Sequence, residues 1–173
     1  MRLYLKIAII LSLFLLISCY NEDVAINNVN RIFMTKDYMN VIDKCDEIIL
    51  KNPRNHKALH LRGVAHYYTN NLEKSLEDLN LACKYYNNEI YYYNLSLTQF
   101  KLLKYNDCLI STSYISDSTK LINRDDLYLH KAYVFFNLSR YDDAIKYFEY
   151  SFSNVGLNNS ILINKIINYS IFI

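Results

Sequence analysis

The chain has 173 residues, 52% hydrophobic and 21% charged, with a formal net charge of +2; this suits one compact domain or a short repeat array and excludes wholesale disorder. Gly63 and Gly156 are the only glycines and Pro53 the only proline, so neither a glycine-rich dinucleotide fingerprint nor a phosphate-binding loop can be written. The same scarcity argues against a β-sandwich or barrel built on tight glycine hairpins and leaves an all-α protein.

Arg2 and Lys6 precede a stretch from Ile7 to Ile17 that is apolar except at Ser12, and Ser18-Cys19 follows. A basic start, a short apolar run and a small residue before a cleavage point make residues 1–18 a signal peptide. From Leu3 to Ile17 the stretch falls short of the roughly 20 residues that a membrane span needs. The run Leu16-Ile17-Ser18-Cys19 resembles the bacterial lipobox. That resemblance implies cleavage before Cys19, a diacylglycerol on its sulfur and often an acylated new amine. Residues 19–21 are then the lipidated start of the mature chain. The expected location is the extracytoplasmic side of a bacterial membrane, on the periplasmic face or in an outer membrane. Without Arg2 and Lys6 the chain carries 17 basic and 17 acidic residues, a balance that gives no support to a nucleic-acid surface.

From residue 22 onward the chain repeats itself. Tyr38, Leu72, Tyr105 and Tyr141 each follow a short polar turn, at spacings of 34, 33 and 36. Three residues further on stand Val41, Ser75, Cys108 and Ala144; nine residues back stand Val29, Gly63, Ser96 and Ala132. Apolar residues recur three and four apart on both sides of each turn, which predicts two helices per repeat. The mostly small residues at matched offsets let the two helix axes approach closely. Asn residues between the periodic segments suit helix caps and turns.

The segments from Leu59 to Cys83 and from Tyr128 to Phe152 resemble the tetratricopeptide repeat along nearly their whole length, and Asn52-Pro53 resembles that family's closing dipeptide. The resemblance implies a right-handed superhelical array of about four helix hairpins over residues 22–158, divided near 22–55, 56–88, 89–122 and 125–158. The third repeat departs most, with Thr112 where an aromatic residue is usual and no closing proline. A C-terminal apolar helix is expected over residues 159–173, where Leu162, Ile166, Tyr169 and Ile173 share a helical face. Ile163, Ile167 and Ile171 add a second apolar row, which one capping helix cannot bury, so the expectation is that this segment either mediates self-association or is the first helix of a repeat whose partner comes from another chain.

The same resemblance places certain first-helix residues on a concave face: Asn30 and Phe33; His60, Val64, Tyr67 and Tyr68; Tyr93, Leu97 and Phe100; Tyr133 and Phe136. This lining is aromatic and nearly uncharged, and it lacks the set of several Lys, Arg and Asn with which some family members clamp a terminal carboxylate. Tyrosine offers large contact area together with a hydroxyl, which suits a protein or peptide partner. An adaptor docking a partner protein is the expected function, with a peptide- or small-ligand-capturing envelope protein as the alternative.

Residues that carry chemistry are few. His56 and His60 stand four apart at a helix start, but no third ligand joins their face and HExxH is absent, so a surface role is expected and no metal. Asp125 and Asp126 suit a helix N-terminus. No GxSxG elbow occurs. Cys45, Cys83 and Cys108 form no CxxC pair and read as small buried residues, with a Cys83–Cys108 disulfide left open. No catalytic residue and no cofactor are expected.

Overall fold

The computed structural model describes residues 22–152, and all regular structure among them is helical. The signal peptide, Cys19 and the expected helix over residues 159–173 lie outside the described residues. The helices are α1 (residues 22–34), α2 (Tyr38–Lys51), α3 (His56–Tyr68), α4 (Leu72–Tyr85), α5 (Glu89–Lys101), α6 (Tyr105–Ser113), α7 (Arg124–Asn137) and α8 (Tyr141–Phe152). They form hairpins α1–α2, α3–α4, α5–α6 and α7–α8, an all-α helical repeat array. The chain divides between Tyr85 and Tyr86 into two compact units of two hairpins each.

Each hairpin turns through a three-residue link whose middle residue is left-handed: Lys36 (φ 62°), Asn70 (φ 60°), Leu103 (φ 59°) and Ser139 (φ 58°). These four positions are spaced 34, 33 and 36 residues apart, the period of the sequence itself. In three links the geometry closes fully onto the preceding helix. The amides of Asn71, Lys104 and Arg140 donate to the carbonyls of His66, Gln99 and Phe135, while those of Asn70, Leu103 and Ser139 donate to Tyr67, Phe100 and Phe136. This paired closure satisfies the orphan carbonyls of a helix end and normally uses glycine at the left-handed position. None of the four is glycine, although the left-handed conformation costs an L-residue about 1–2 kcal/mol.

Asparagine opens the first helix of the second, third and fourth hairpins. The Asn55 side chain accepts from the Ala58 amide, Asn88 from Ile90 and Asn123 from Asp125, each at 2.9 Å. Each bond satisfies one of the amides a helix start leaves unpaired.

All eight residues at the matched offsets are buried: Val29, Gly63, Ser96 and Ala132 on the first helices, and Val41, Ser75, Cys108 and Ala144 on the second. At Gly63 the two helices approach closely. A Cβ there would stand 2.8 Å from Leu79 Cγ, too near for any side chain to fit without displacement. In the third hairpin the Cys108 thiol donates to the Ser96 carbonyl at 3.3 Å. In the first unit, Ile26, Val29, Val41, Ile42, Cys45 and Ile48 pack with Ala58 and Ala65 of α3. In the second, Phe100 and Cys108 pack with Ala132, Tyr133, Val134, Phe135, Ala144 and Phe148.

Helix α6 ends at Ser113, after only nine residues. Its last turn reads Ser111-Thr112-Ser113, and the hydroxyls of Thr112 and Ser113 bond back to the Leu109 and Ile110 carbonyls at 3.0 and 2.6 Å. Such local bonds compete with continued helix. The segment over residues 114–123 is instead tied down by its own contacts. Ile115 and Ile122 pack with Leu127, and Glu89 accepts from the Ser116 amide and the Thr119 hydroxyl. Those two bonds hold the Glu89 carboxyl below its ordinary range.

Candidate partner-binding surface

In the first unit, the residues of the expected lining gather into an aromatic group. Phe33 meets Tyr38 edge-on with ring centroids 5.5 Å apart. Tyr68 of α3 stacks on Tyr38 at 4.7 Å and 7° between planes. Tyr67 meets Tyr68 edge-on at 5.6 Å. Offset and edge-to-face pairs of this kind contribute about 0.5–1.5 kcal/mol beyond burial. Tyr68 nonetheless leaves 57% of its surface exposed. Asn30 is also exposed, while His60 and Val64 are half-buried. His60 is driven down to about 4, first by burial and then by His56, so its ring is neutral at pH 7.

The second unit requires a correction. Phe100 and Tyr133 are 7% and 5% exposed and belong to the interior rather than to an open lining. Phe100 lies edge-on to Tyr105 at 5.4 Å and to His130 at 5.5 Å. Tyr133 meets Phe148 of α8 at 5.3 Å and 90°. Tyr93 and Leu97 are half-buried, and Phe136 is exposed. Sequence position alone missed a shared role. Phe33, Phe100 and Phe136 each clasp the first residue of the following helix, Tyr38, Tyr105 and Tyr141, at 5.5, 5.4 and 5.7 Å. The signal was present as an aromatic pair five residues apart across three of the turns.

A second group missed by sequence reasoning is ionic. The Arg62 guanidinium on α3 donates to both carboxylate oxygens of Asp78 on α4, at 2.8 and 2.6 Å. Its remaining nitrogen donates to Asp46 on α2 at 2.5 Å. Asp78 is buried, whereas Asp46 is exposed. The bidentate bond to Asp78, with Asp46 adding, raises the Arg62 pKa above its ordinary value against the opposing cost of burial. Arg62 thus ties three helices across two hairpins.

The third group surrounds His130. Its Nε2 lies 3.1 Å from Ser96 Oγ and 3.3 Å from Cys108 Sγ. Ser96 Oγ donates to the Tyr93 carbonyl at 2.7 Å and the Cys108 thiol donates to the Ser96 carbonyl. With both hydrogens so used, the proton between them belongs on Nε2, which assigns the neutral tautomer. Burial, with Lys131 adding, lowers His130 to about 4. Burial likewise pushes the Cys108 thiol up to about 12. A neutral imidazole beside a neutral thiol supplies no nucleophile at pH 7; the group joins α5, α6 and α7.

Cys45 and Cys83 are also buried free thiols, each raised to about 12, mainly by burial. Among the described residues no group of three or more His, Cys, Asp or Glu side chains is placed to hold a metal ion. His66 Nδ1 and Gln99 Oε1 are buried without a hydrogen-bond partner. They occupy equivalent places in the second and third hairpins, which Ile32 and Phe135 fill in the first and fourth. Asp125 and Asp126 stand in the first turn of α7, where carboxylates favour the helix dipole.

No protein-family model matches the sequence, and no curated protein matches it. Solved structures do match in fold. A crystal structure of MamA superposes with a TM-score of 0.64 at 16% identity, over 72% of this chain and 72% of that one. Another crystal structure of MamA protein gives 0.66 at 14% identity, over 80% and 78%. A tetratricopeptide repeat protein from Parabacteroides merdae ATCC 43184 gives 0.66 at 17% identity, over 82% of this chain and 55% of that one. What these likenesses show is the fold, a helical repeat array like that of a tetratricopeptide repeat protein.

Proposed function

We propose that this chain is a non-enzymatic scaffold that docks a partner protein through the aromatic face of its first helices. The observation that carries the reading is Tyr68, more than half exposed yet held flat against Tyr38. A rigid aromatic surface presents contact area without losing side-chain freedom on binding, which is how tyrosine earns its place at interfaces. Phe33 and Tyr67 extend that surface, and Asn30, His60 and Val64 border it. The anchor in this reading is lipid on Cys19, which holds the repeats beside a bacterial membrane on its extracytoplasmic side; two acyl chains suffice for stable attachment.

A photo-crosslinking residue at Tyr68 should capture a discrete partner in native membranes, while the same residue at Glu47 on α2 should not. Equal capture at both positions would remove the docking surface from this face. Cys19→Ala should abolish metabolic labelling with palmitate and leave an unprocessed precursor. Labelling that persists in this variant would refute the lipid anchor.

A further inference from the structure

Over residues 22–85 the first unit carries nine basic and nine acidic side chains, but they are not spread evenly along it. At the edge where α1 begins, three contacts gather the ends of four helices. The Asn52 side-chain amide donates to Glu22 at 2.8 Å, and Lys57 pairs with Asp23 at 2.9 Å. Arg54 stands over the Tyr85 ring at 6.0 Å. Lys51 and Lys84 lie at the same edge, in the last turns of α2 and α4. Four cations thus meet two carboxylates, both already engaged. Lys51, Arg54 and Lys84 are exposed and enter no ion pair among the described residues. Apolar side chains stand among these charges. Leu50, beside Lys51, is 85% exposed, more than any other large apolar side chain among the described residues, and Val24 in the first turn of α1 is 51% exposed. Cations that reach headgroup phosphates, interleaved with apolar groups that sit just below them, are what a bilayer interface accepts.

We propose that this edge of the first unit rests on the membrane surface, where Lys51, Arg54 and Lys84 bind anionic phospholipid headgroups and Leu50 enters the interface. The inference rests on the lipid anchor at Cys19 and adds a second, non-covalent contact to it. Chain length selects the edge. Cys19 precedes Glu22 by three residues, a span of at most about 11 Å, so an anchor there keeps the start of α1 beside the headgroups. Met34, at the far end of α1, is 82% exposed, but twelve residues of helix carry it about 18 Å away. Exposure is therefore alike at the two ends, and only one end has the tether and the unpaired cations together. A basic residue near an anionic surface strengthens attachment about five-fold. Three of them beside a lipid anchor hold the first unit in one orientation on the bilayer.

Lipid photo-crosslinking tests this with the full-length gene product purified from membranes and reconstituted in vesicles of equal parts phosphatidylcholine and phosphatidylglycerol. A photo-crosslinking residue at Leu50 should give phospholipid adducts, and the same residue at Met34 should give about ten-fold fewer. Adducts at Leu50 should fall about ten-fold or more in vesicles of phosphatidylcholine alone. They should fall equally in the Lys51→Gln, Arg54→Gln, Lys84→Gln triple variant, whose melting temperature should match the wild type because all three side chains are exposed. Flotation of the same vesicles separates this proposal from the anchor beneath it. Protein that floats but gives no adduct at Leu50, or equal adducts at Leu50 and Met34, overturns the proposal and leaves the anchor standing. Adducts indifferent to lipid charge and to the triple variant overturn it in the same way. Protein that does not float overturns the anchor and the proposal together.

Discussion

Replacing Gly63 by alanine tests the close approach of α3 and α4. In an ordinary helix interior this change stabilises by roughly 0.5–1 kcal/mol, because alanine loses less backbone freedom on folding. Here the added Cβ would stand 2.8 Å from Leu79 Cγ, 3.1 Å from Leu79 Cδ2 and 3.2 Å from Asp78 Cβ. Leu79 is fully buried, and Asp78 is held by two bonds from Arg62, so neither neighbour can withdraw freely. Overpacking of this kind costs about 1–3 kcal/mol. After the helix preference is set against it, Gly63→Ala should destabilise by roughly 1–2 kcal/mol. Denaturant unfolding followed by circular dichroism would show a lower midpoint at unchanged m-value. Leu79→Ala alone should cost about 2–5 kcal/mol by opening a cavity. The added methyl then has room, so the double variant should be at least about 1 kcal/mol more stable than the two single losses added together. A Gly63→Ala protein as stable as the wild type, or more so, would refute the close approach of α3 and α4.

Three further perturbations separate the other features. Arg62→Ala strands the buried Asp78 carboxylate and should cost about 3–5 kcal/mol, whereas Asp46→Asn at the exposed end should cost less than about 1 kcal/mol; equal losses in thermal melts would refute the asymmetry. His130, held neutral down to about pH 4, binds its proton more readily when unfolded, so stability should be full above pH 6.5 and decline as pH falls toward 4. The contribution is on the order of 3 kcal/mol, and an unchanged acid slope in His130→Phe would contradict the assignment, His56, His60 and His66, all lowered by burial, supplying the remainder. Leu103→Gly removes a left-handed leucine that is largely exposed and should leave stability unchanged or raise it by up to about 1 kcal/mol; a loss of that size on melting would refute the strain.

Much of the fold was legible because the repeat is written in side-chain size. Val29, Gly63, Ser96, Ala132 and their partners at the second offset all reach the helix contacts that their spacing demanded. The turns were harder to recognise, since Lys36, Asn70, Leu103 and Ser139 adopt the left-handed conformation without the glycine that would have announced it. The shortness of α6 was foreshadowed by Thr112 but depends on the run of hydroxyls around it. For the surface, helical position is an incomplete guide. Phe33 and Phe100 share one register slot, yet Phe100 is buried and Phe33 only partly so, because burial depends on what the next helix brings to the slot. Arg62 and Asp78 lie 16 residues apart on different helices, a distance at which no local pattern connects opposite charges.

The placement of Arg62 gives the first unit a preferred end from which to come apart. Of the bonds Arg62 makes, lifting the first hairpin away breaks only the one to Asp46, whose carboxylate is already in water and is rehydrated at little cost. Arg62 and Asp78 remain joined, and the second hairpin keeps its internal charges neutralised. Parting α4 from α3 would instead leave Asp78 facing an apolar interior alone. The two interfaces therefore differ in mechanical order. A force or a protease acting on this unit should meet a peeling first hairpin and then a second that yields only as a whole.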